Sequence, residues 1–279
     1  MNFNSKLYQP TDPKTWAGRI DSRSDFDQFR FHQVVQCLDL KNIRAKKQPV
    51  LLGFASDIGV NRNGGRVGAS KGPDHFRKSI SSLCWHGGGH ETAFGHFSGI
   101  SSFLKQNKPD AKLGILNIDA HFDLRPHNGI PHSGSPFLQA HEHAEQIDLD
   151  LKYFVYGINQ DNNTKSLFNK ADELGAQFCL NTEVFNNENK SLNKAQKFIK
   201  EREFIYLTIC LDVFEVAIAP GVSAPAWNGL KLNDALNLIK VVKDSGKLIS
   251  ADICELNPEF DQHGQTAKTA GSLFSKLIL

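Results

Sequence analysis

Six short apolar runs rich in β-branched and aromatic residues punctuate this chain: Val50–Phe54, Leu113–Ile118, Tyr153–Ile158, Gln177–Leu180, Phe204–Leu211 and Lys247–Ile253. Within each run the apolar character is almost continuous rather than alternating. That pattern predicts strands covered on both faces, the situation of a mainly parallel sheet. Amphipathic stretches lie between the runs. Phe94, Phe97, Ile100 and Leu104 recur at helical spacing, as do Leu232, Leu236, Ile239 and Val242. Asn233 suits an N-cap for the second of these helices, and Gly246 suits a C-terminal stop. Strand and helix in alternation predict βαβ units with right-handed crossovers, and hence an α/β fold. Residues 1–45 read as an irregular arm with one helix near Phe26–Leu40.

A chain of 279 residues with 40% hydrophobic content can bury one large core, so a single domain is expected. The formal charge of +2 comes without a block of basic residues, which argues against a nucleic-acid partner. Met1–Lys6 lacks the apolar segment of a signal peptide, and no apolar run nears the roughly 18 residues that span a bilayer. Five cysteines (Cys37, Cys84, Cys179, Cys210, Cys254) share no close spacing, so free thiols in a reducing compartment are expected. A cytoplasmic protein without membrane association follows as the expectation, with no information yet about chemistry.

In open α/β sheets, ligands bind beyond the carboxyl ends of the strands. The run Leu113–Ile118 leads straight into Asp119-Ala120-His121-Phe122-Asp123. If the backbone stays extended there, Asp119, His121 and Asp123 occupy i, i+2 and i+4 and point the same way. Two carboxylates and an imidazole that converge after an apolar strand are costly to bury without a cation. Mixed N/O ligands suit Mn²⁺ or Zn²⁺. The plainer alternative is three polar residues on an exposed loop. Gly87-Gly88-Gly89-His90-Glu91 permits a tight turn with unusual dihedrals and close backbone approach, and would deliver His90 to a site at the start of a helix. A Gly-rich turn with a surface histidine is the competing reading. In Leu207-Thr208-Ile209-Cys210-Leu211-Asp212, again a strand ending in a possible ligand, Cys210 and Asp212 share one face by the same two-residue period. Glu255 follows another strand-like run and reads by default as a surface or capping carboxylate. His141 and His143 read as solvated, and His32, His75 and His96 as unremarkable without partners.

Gly-Gly-Gly-His-Glu, Asp-Ala-His-Phe-Asp and Thr208-Ile209-Cys210-Leu211-Asp212 together resemble the three metal-binding segments of the arginase–agmatinase–formimidoylglutamase (ureohydrolase) family, in that family's order. Further stretches resemble the formimidoylglutamase branch. They are Gly53–Asp57 through Arg62–Ala69 to Gly72-Pro73, then Ser133–Phe137, then Ala219–Pro225. Gly18-Arg19-Ile20-Asp21 and Glu255-Leu256-Asn257-Pro258 fit as well, so the resemblance covers nearly the whole chain.

The resemblance implies an arginase-like fold, a three-layer α/β/α sandwich with a mainly parallel sheet, spanning residues 1–279 as one domain. It also implies two Mn²⁺ per chain, with His90 and Asp123 on one ion, His121 and Asp212 on the other, and Asp119 between them. Such a pair activates water, here for attack on the amidine carbon of N-formimidoyl-L-glutamate, giving L-glutamate and formamide in histidine degradation. Asp123 would carry the proton, and Glu255 matches the acid that pairs with the cationic amidine. Arg125 is placed to meet a carboxylate of this small-molecule substrate, with a surface salt bridge as its alternative role. Asn63 and Ser133, inside the matching stretches, are further substrate-binding candidates. Relatives form homo-oligomers, so self-association is implied too.

Three departures from the family pattern stand out. Cys210 occupies the place of a second bridging aspartate. As a thiolate it would favour Zn²⁺ over Mn²⁺, and as a neutral thiol it would weaken or remove one ion. Only Ser79–His86 separates the Arg77 region from Gly87, where relatives have a longer segment. Ser133-Gly134-Ser135-Pro136 stands in the frame of the His-Gly-x-Pro proton shuttle of arginase-like members, with His132 one position early. Two other functions therefore stay open: hydrolysis of a guanidino compound such as agmatine, and a catalytically impaired paralogue.

Overall fold

Strands that are apolar on both faces need cover on both sides, and the computed structural model of the protein supplies it. The structure describes residues 12–16, 23, 37, 53–74 and 88–278. Most of the proposed arm, its helix near Phe26–Leu40, His32, His75, and the start of the run Val50–Phe54 lie outside these residues. After a short helix α1 (Ile58–Arg62) the order is α2 (Thr92–Asn107), β1 (Lys112–Ile118), α3 (Pro136–Gln146), β2 (Asp150–Ile158), α4 (Lys165–Glu173), β3 (Gln177–Leu180), α5 (Asn181–Asn186), α6 (Glu188–Lys200), β4 (Phe204–Cys210), α7 (Leu232–Asp244), β5 (Leu248–Cys254) and α8 (Gln265–Ile278). The strands pair in parallel in the order β3-β2-β1-β4-β5. Among the described residues, no helix is long and apolar enough to cross a membrane.

Alternation along each strand sorts the core into two sides. Leu113 and Ile115 of β1, Tyr153 and Val155 of β2, and Tyr206 of β4 pack with Phe97 and Leu104 of α2 and Phe137 of α3. Leu116 and Ile118, Phe154 and Tyr156, and Leu207 and Ile209 pack with Phe198 of α6, Leu238 of α7 and Leu273 of α8. The result is the expected three-layer α/β/α sandwich. Each fully buried Leu or Phe stabilises it by about 1.5–3 kcal/mol.

Of the two cap signals read around α7, one held. Gly246 adopts φ +66 just past α7, and its N–H closes onto the Lys243 carbonyl at 3.0 Å, as a left-handed helix stop does. Asn233 does not cap α7. The cap position is Lys231, and the carboxylate of Asp234 accepts from the Lys231 N–H at 2.8 Å, which satisfies the end in place of a capping side chain.

The two histidines of α3 are not solvated as expected. His143 meets the ring edges of Phe94 and Phe97, each at 6.1 Å, and His141 is buried with no hydrogen-bond partner for its Nε2 among the described residues. Burial, helped by nearby Lys152, pulls the His141 imidazole down from 6.5 to about 4. The unfolded chain therefore takes up the proton first as pH falls. The stability tied to this neutral imidazole is full above pH 6.5 and is lost by pH 4, a change of about 3 kcal/mol. We predict that the difference in urea unfolding free energy between wild type and His141→Gln changes across that window. A difference independent of pH would clear His141 as the cause.

Candidate metal centre

The strand order places β1 beside β4, with the chain winding outward from β1 through β2 to β3 and, on the other side, from β4 to β5. The crevice beyond the carboxyl ends of β1 and β4 is thus the topological switch point, where open α/β sheets bind ligands. Asp119 follows β1 directly, Cys210 ends β4, Asp212 lies two residues on, and Glu255 follows β5. Cys210 and Cys254 are register partners on adjacent strands.

His90 arrives from the other side of the crevice, ahead of α2. A Cβ on Gly88 would lie 2.8 Å from the carbonyl oxygens of Phe54 and Ser56, so only glycine fits. Close approach is what this turn exploits. Gly88 and Gly89 are not among the residues with positive φ, so the unusual dihedrals expected of the turn are not found there. Glu255 grips the turn twice. Its N–H donates to the Gly88 carbonyl at 2.8 Å, and its Oε1 accepts from the His90 N–H at 2.7 Å.

The three residues after β1 do converge, though not by staying extended. Asp119 Oδ1 accepts from the His121 N–H at 2.8 Å, an Asx-type turn that bends the chain, and Asp123 adopts φ +49. Glu255 also has positive φ, at +71. Left-handed backbone at two non-glycine acids of one crevice is strain of about 1–3 kcal/mol each, of the kind that collects at functional sites.

Two sets of side chains meet here, each with one ligand atom per residue and all atoms within 4.8 Å of one another: His90, Asp119 and Cys210, and Asp119, His121 and Asp212. Asp119, fully buried, belongs to both. Cys210 joins the His90 set alone rather than both, as its bridging position had implied. His90 Nδ1 lies 3.1 Å from Asp119 Oδ2 and 3.0 Å from Asp123 Oδ2, so the two oxygens flank it on the side away from Thr208. His121 Nδ1 lies 3.4 Å from Asp119 Oδ1 and 3.3 Å from Asp212 Oδ2.

Hydrogen-bond logic fixes how His90 presents itself. Its Nε2 is 3.0 Å from Thr208 Oγ1, and Thr208 donates its one hydroxyl proton to Asp252 Oδ1 at 2.6 Å. Thr208 must therefore accept from His90 Nε2–H, which leaves Nδ1 to face the carboxylates. A metal-ligating histidine is oriented in this way. Asp252 in turn accepts from Tyr206 Oη and from His96 Nδ1, the latter at 2.6 Å. Burial alone would raise the Asp252 carboxyl, but His96, Thr208 and Tyr206 hold it well below the usual carboxylate range. His96 is therefore not the partnerless residue expected from sequence. Thr208 and Asp252 were missed as well. Their signal was present, since each sits one strand period before Cys210 or Cys254 in an otherwise apolar run.

The electrostatics are those of a cation site. Burial and then the charge of Asp212 push Glu255 up to about 8. Burial and then Asp119 push Asp123 up, while burial and then the carboxylates of Asp119 and Asp212 push the Cys210 thiol up. For His90 and His121 the neighbouring carboxylates outweigh burial and raise both imidazoles. Buried Asp212 Oδ1 and Glu255 Oε2 have no hydrogen-bond partner among the described residues. Residue types, burial and unpartnered ligand atoms all fit a pair of divalent ions, with the thiol as the one soft donor.

The three substrate-binding candidates also meet. Arg125 Nη1 donates to Asn63 Oδ1 at 2.7 Å, and Asn63 Nδ2 donates to Ser133 Oγ at 3.3 Å. The Arg125 N–H bonds to the Gly134 carbonyl and the Phe137 N–H to that of Asp123, tying this cluster to the crevice. His132 is engaged within its own loop, Nδ1 accepting from the Gly134 N–H at 3.2 Å and Nε2 lying 3.3 Å from the Pro126 carbonyl. Arg66, Ser223 and Asn257, from three of the motif stretches, interlock: Asn257 Nδ2 and Ser223 Oγ both donate to the Arg66 carbonyl.

Comparison with known proteins places this chain in a family. A model of the arginase family matches residues 81–279. A formimidoylglutamase of Lysinibacillus sphaericus is 35% identical over 310 residues, covering 94% of this chain and 94% of its own. One from Geobacillus kaustophilus is 35% identical over 321, covering 98% and 97%. Both alignments exceed the 279 residues of this chain, so these relatives hold residues without a counterpart here. Among solved structures, a Trypanosoma cruzi formiminoglutamase with Mn²⁺ superposes with a TM-score of 0.66 at 20% identity, covering 81% of this chain and 91% of its own. A Bacillus subtilis arginase gives 0.67 at 20%, covering 81% and 96%. These two share the fold. With a family model over most of its length and relatives matched almost from end to end, this chain belongs to the arginase family.

Proposed function

We propose that this protein hydrolyses the amidine C–N bond of N-formimidoyl-L-glutamate with two bound divalent ions, Mn²⁺ in at least one position, in histidine degradation. Water adds across that bond, and the products are L-glutamate and formamide. The observation that carries this reading is the pair of buried ligand sets sharing Asp119 at the switch point. The name borne by the relatives at 35% identity supports the choice of substrate.

His90, Asp119 and Asp123, with Cys210 beside them, would hold one ion, and Asp119, His121 and Asp212 the other. When bound, such a pair lowers the pKa of water so that a nucleophile is available near neutral pH. The chain's own residues do the rest. Asp119 keeps its charge central to both positions. Asp123, at the edge of the crevice, carries a proton to the departing glutamate nitrogen. Glu255 is held by the His90 N–H through Oε1, which leaves Oε2 to accept from a cationic amidine. Arg125, Asn63 and Ser133 form a polar cluster suited to a substrate carboxylate.

The test is product analysis on metal-loaded protein. Formamide and glutamate released in equal amounts support the reading. Urea from agmatine, with no formamide, moves the substrate to the guanidino class. No product from either, despite two bound ions, assigns the chain to the impaired paralogues. A second expected outcome concerns Arg125. Arg125→Ala should raise KM by about tenfold or more with a smaller effect on kcat, since it removes binding common to ground and transition states. Steady-state kinetics would check this, and an unchanged KM would leave Arg125 with a role in its loop alone.

A further inference from the structure

We propose that the two ion positions are chemically unequal. His90, Asp119, Asp123 and Cys210 would form a position for a thiophilic divalent ion of the Zn²⁺ or Co²⁺ class, beside a harder Mn²⁺ position at Asp119, His121 and Asp212. The proposal rests on the two-ion reading above and adds to it which ion goes where.

The asymmetry lies in the donor atoms. Sulfur belongs to one set only, and the other is one imidazole and two carboxylates. Soft thiolate selects Zn²⁺ and its neighbours, while carboxylate-rich sets suit Mn²⁺. One nitrogen, one sulfur and two carboxylates also make four donors, the number that Zn²⁺ takes in most sites. Packing does not account for the thiol. Cys179, a cysteine with an ordinary core role, lies inside one of the two apolar clusters, whereas Cys210 lies in neither although it is 1% exposed. Its register partner Cys254 is turned to other company, with Sγ 3.6 Å from Thr92 Oγ1 and 3.6 Å from Asp252 Oδ1. Only one of the two neighbouring thiols therefore faces the ligand set. Ion binding converts that thiol to a thiolate and releases its proton to solvent.

Co²⁺ titration of metal-stripped protein reads this without reference to activity. One equivalent is expected to raise a near-ultraviolet thiolate-to-cobalt charge-transfer band, present in wild type and Cys254→Ser and absent in Cys210→Ser. In competition, Cys210→Asp should lose preference for Zn²⁺ over Mn²⁺ by at least about tenfold. Two bound Co²⁺ with no band in wild type would overturn the proposal while leaving the two-ion centre intact. A band that survives in Cys210→Ser and disappears in Cys254→Ser would overturn it too. Failure of wild type to bind any ion would remove both the proposal and the reading beneath it.

Discussion

Asp119→Asn is expected to empty both ion positions at once and to lower turnover by at least about a thousandfold. That exceeds the ~10²–10³ lost when a single preorganised donor is removed, because the whole nucleophile-generating centre goes. Asp119 is fully buried and is the only residue common to the two ligand sets, so no neighbour can take over its charge. Replacement of Asp212, which serves one set, should by contrast spare the His90 position. Stability should fall too. Burial alone would raise the Asp119 carboxyl, but His121 and His90 hold it well below the usual carboxylate range, and Asn117 Nδ2 donates to its Oδ2 at 3.0 Å, so metal-free Asp119→Asn should unfold earlier than metal-free wild type. Added Mn²⁺ should raise the wild-type Tm, by about 2.7 kcal/mol of stabilisation at a hundredfold excess over Kd, and leave the variant where it was. Thermal scans with and without metal check both halves. A variant whose Tm still responds to metal would show that Asp119 is not the shared ligand.

Thr208→Val carries the second large effect, on a residue that touches no ion. The substitution keeps the shape and removes the one hydroxyl that joins His90 Nε2 to Asp252. His90 then loses the acceptor that fixes its tautomer, and Nδ1 no longer presents a lone pair by default. Loss of such an outer partner weakens metal binding by roughly 10- to 100-fold. The fold should pay only about 1–3 kcal/mol for the unpaired buried groups. Asp252→Ala reaches further. It strips the acceptor from Thr208, Tyr206 and His96 together, and is expected to cost about 3–5 kcal/mol of stability. Metal affinity by calorimetry, read beside urea denaturation, separates the two. If Thr208→Val binds metal as tightly as wild type, the hydroxyl does not orient His90.

Much of this architecture was legible in the chain because buried parallel strands announce themselves. Five of the six apolar runs became β1 to β5, and the continuous apolar pattern correctly implied cover on both faces. The residues that meet in the crevice were legible for a related reason: acids and imidazoles directly after such strands have no packing role. Geometry was harder to foresee. Asp119, His121 and Asp123 meet through a bend and a left-handed Asp123, because a side chain that caps its own turn competes with continued extension. The relay of Thr208, Asp252 and His96 went unread because its members are 44 and 156 residues apart and join only when β4, β5 and α2 pack. Asn233 was a cap by type, but Asp234 one position later does the work through its carboxylate. Local preference loses where a neighbour satisfies the same backbone group.

The proposed chemistry requires two cations that share one carboxylate between β1 and β4. Crystals of the protein grown with Mn²⁺ and Zn²⁺, examined by anomalous scattering, put that to the test. Two peaks are predicted, one beside His90 and one beside His121, with Asp119 reaching both. A single peak away from Asp119, or density for neither ion in fully metal-exchanged crystals, would contradict it.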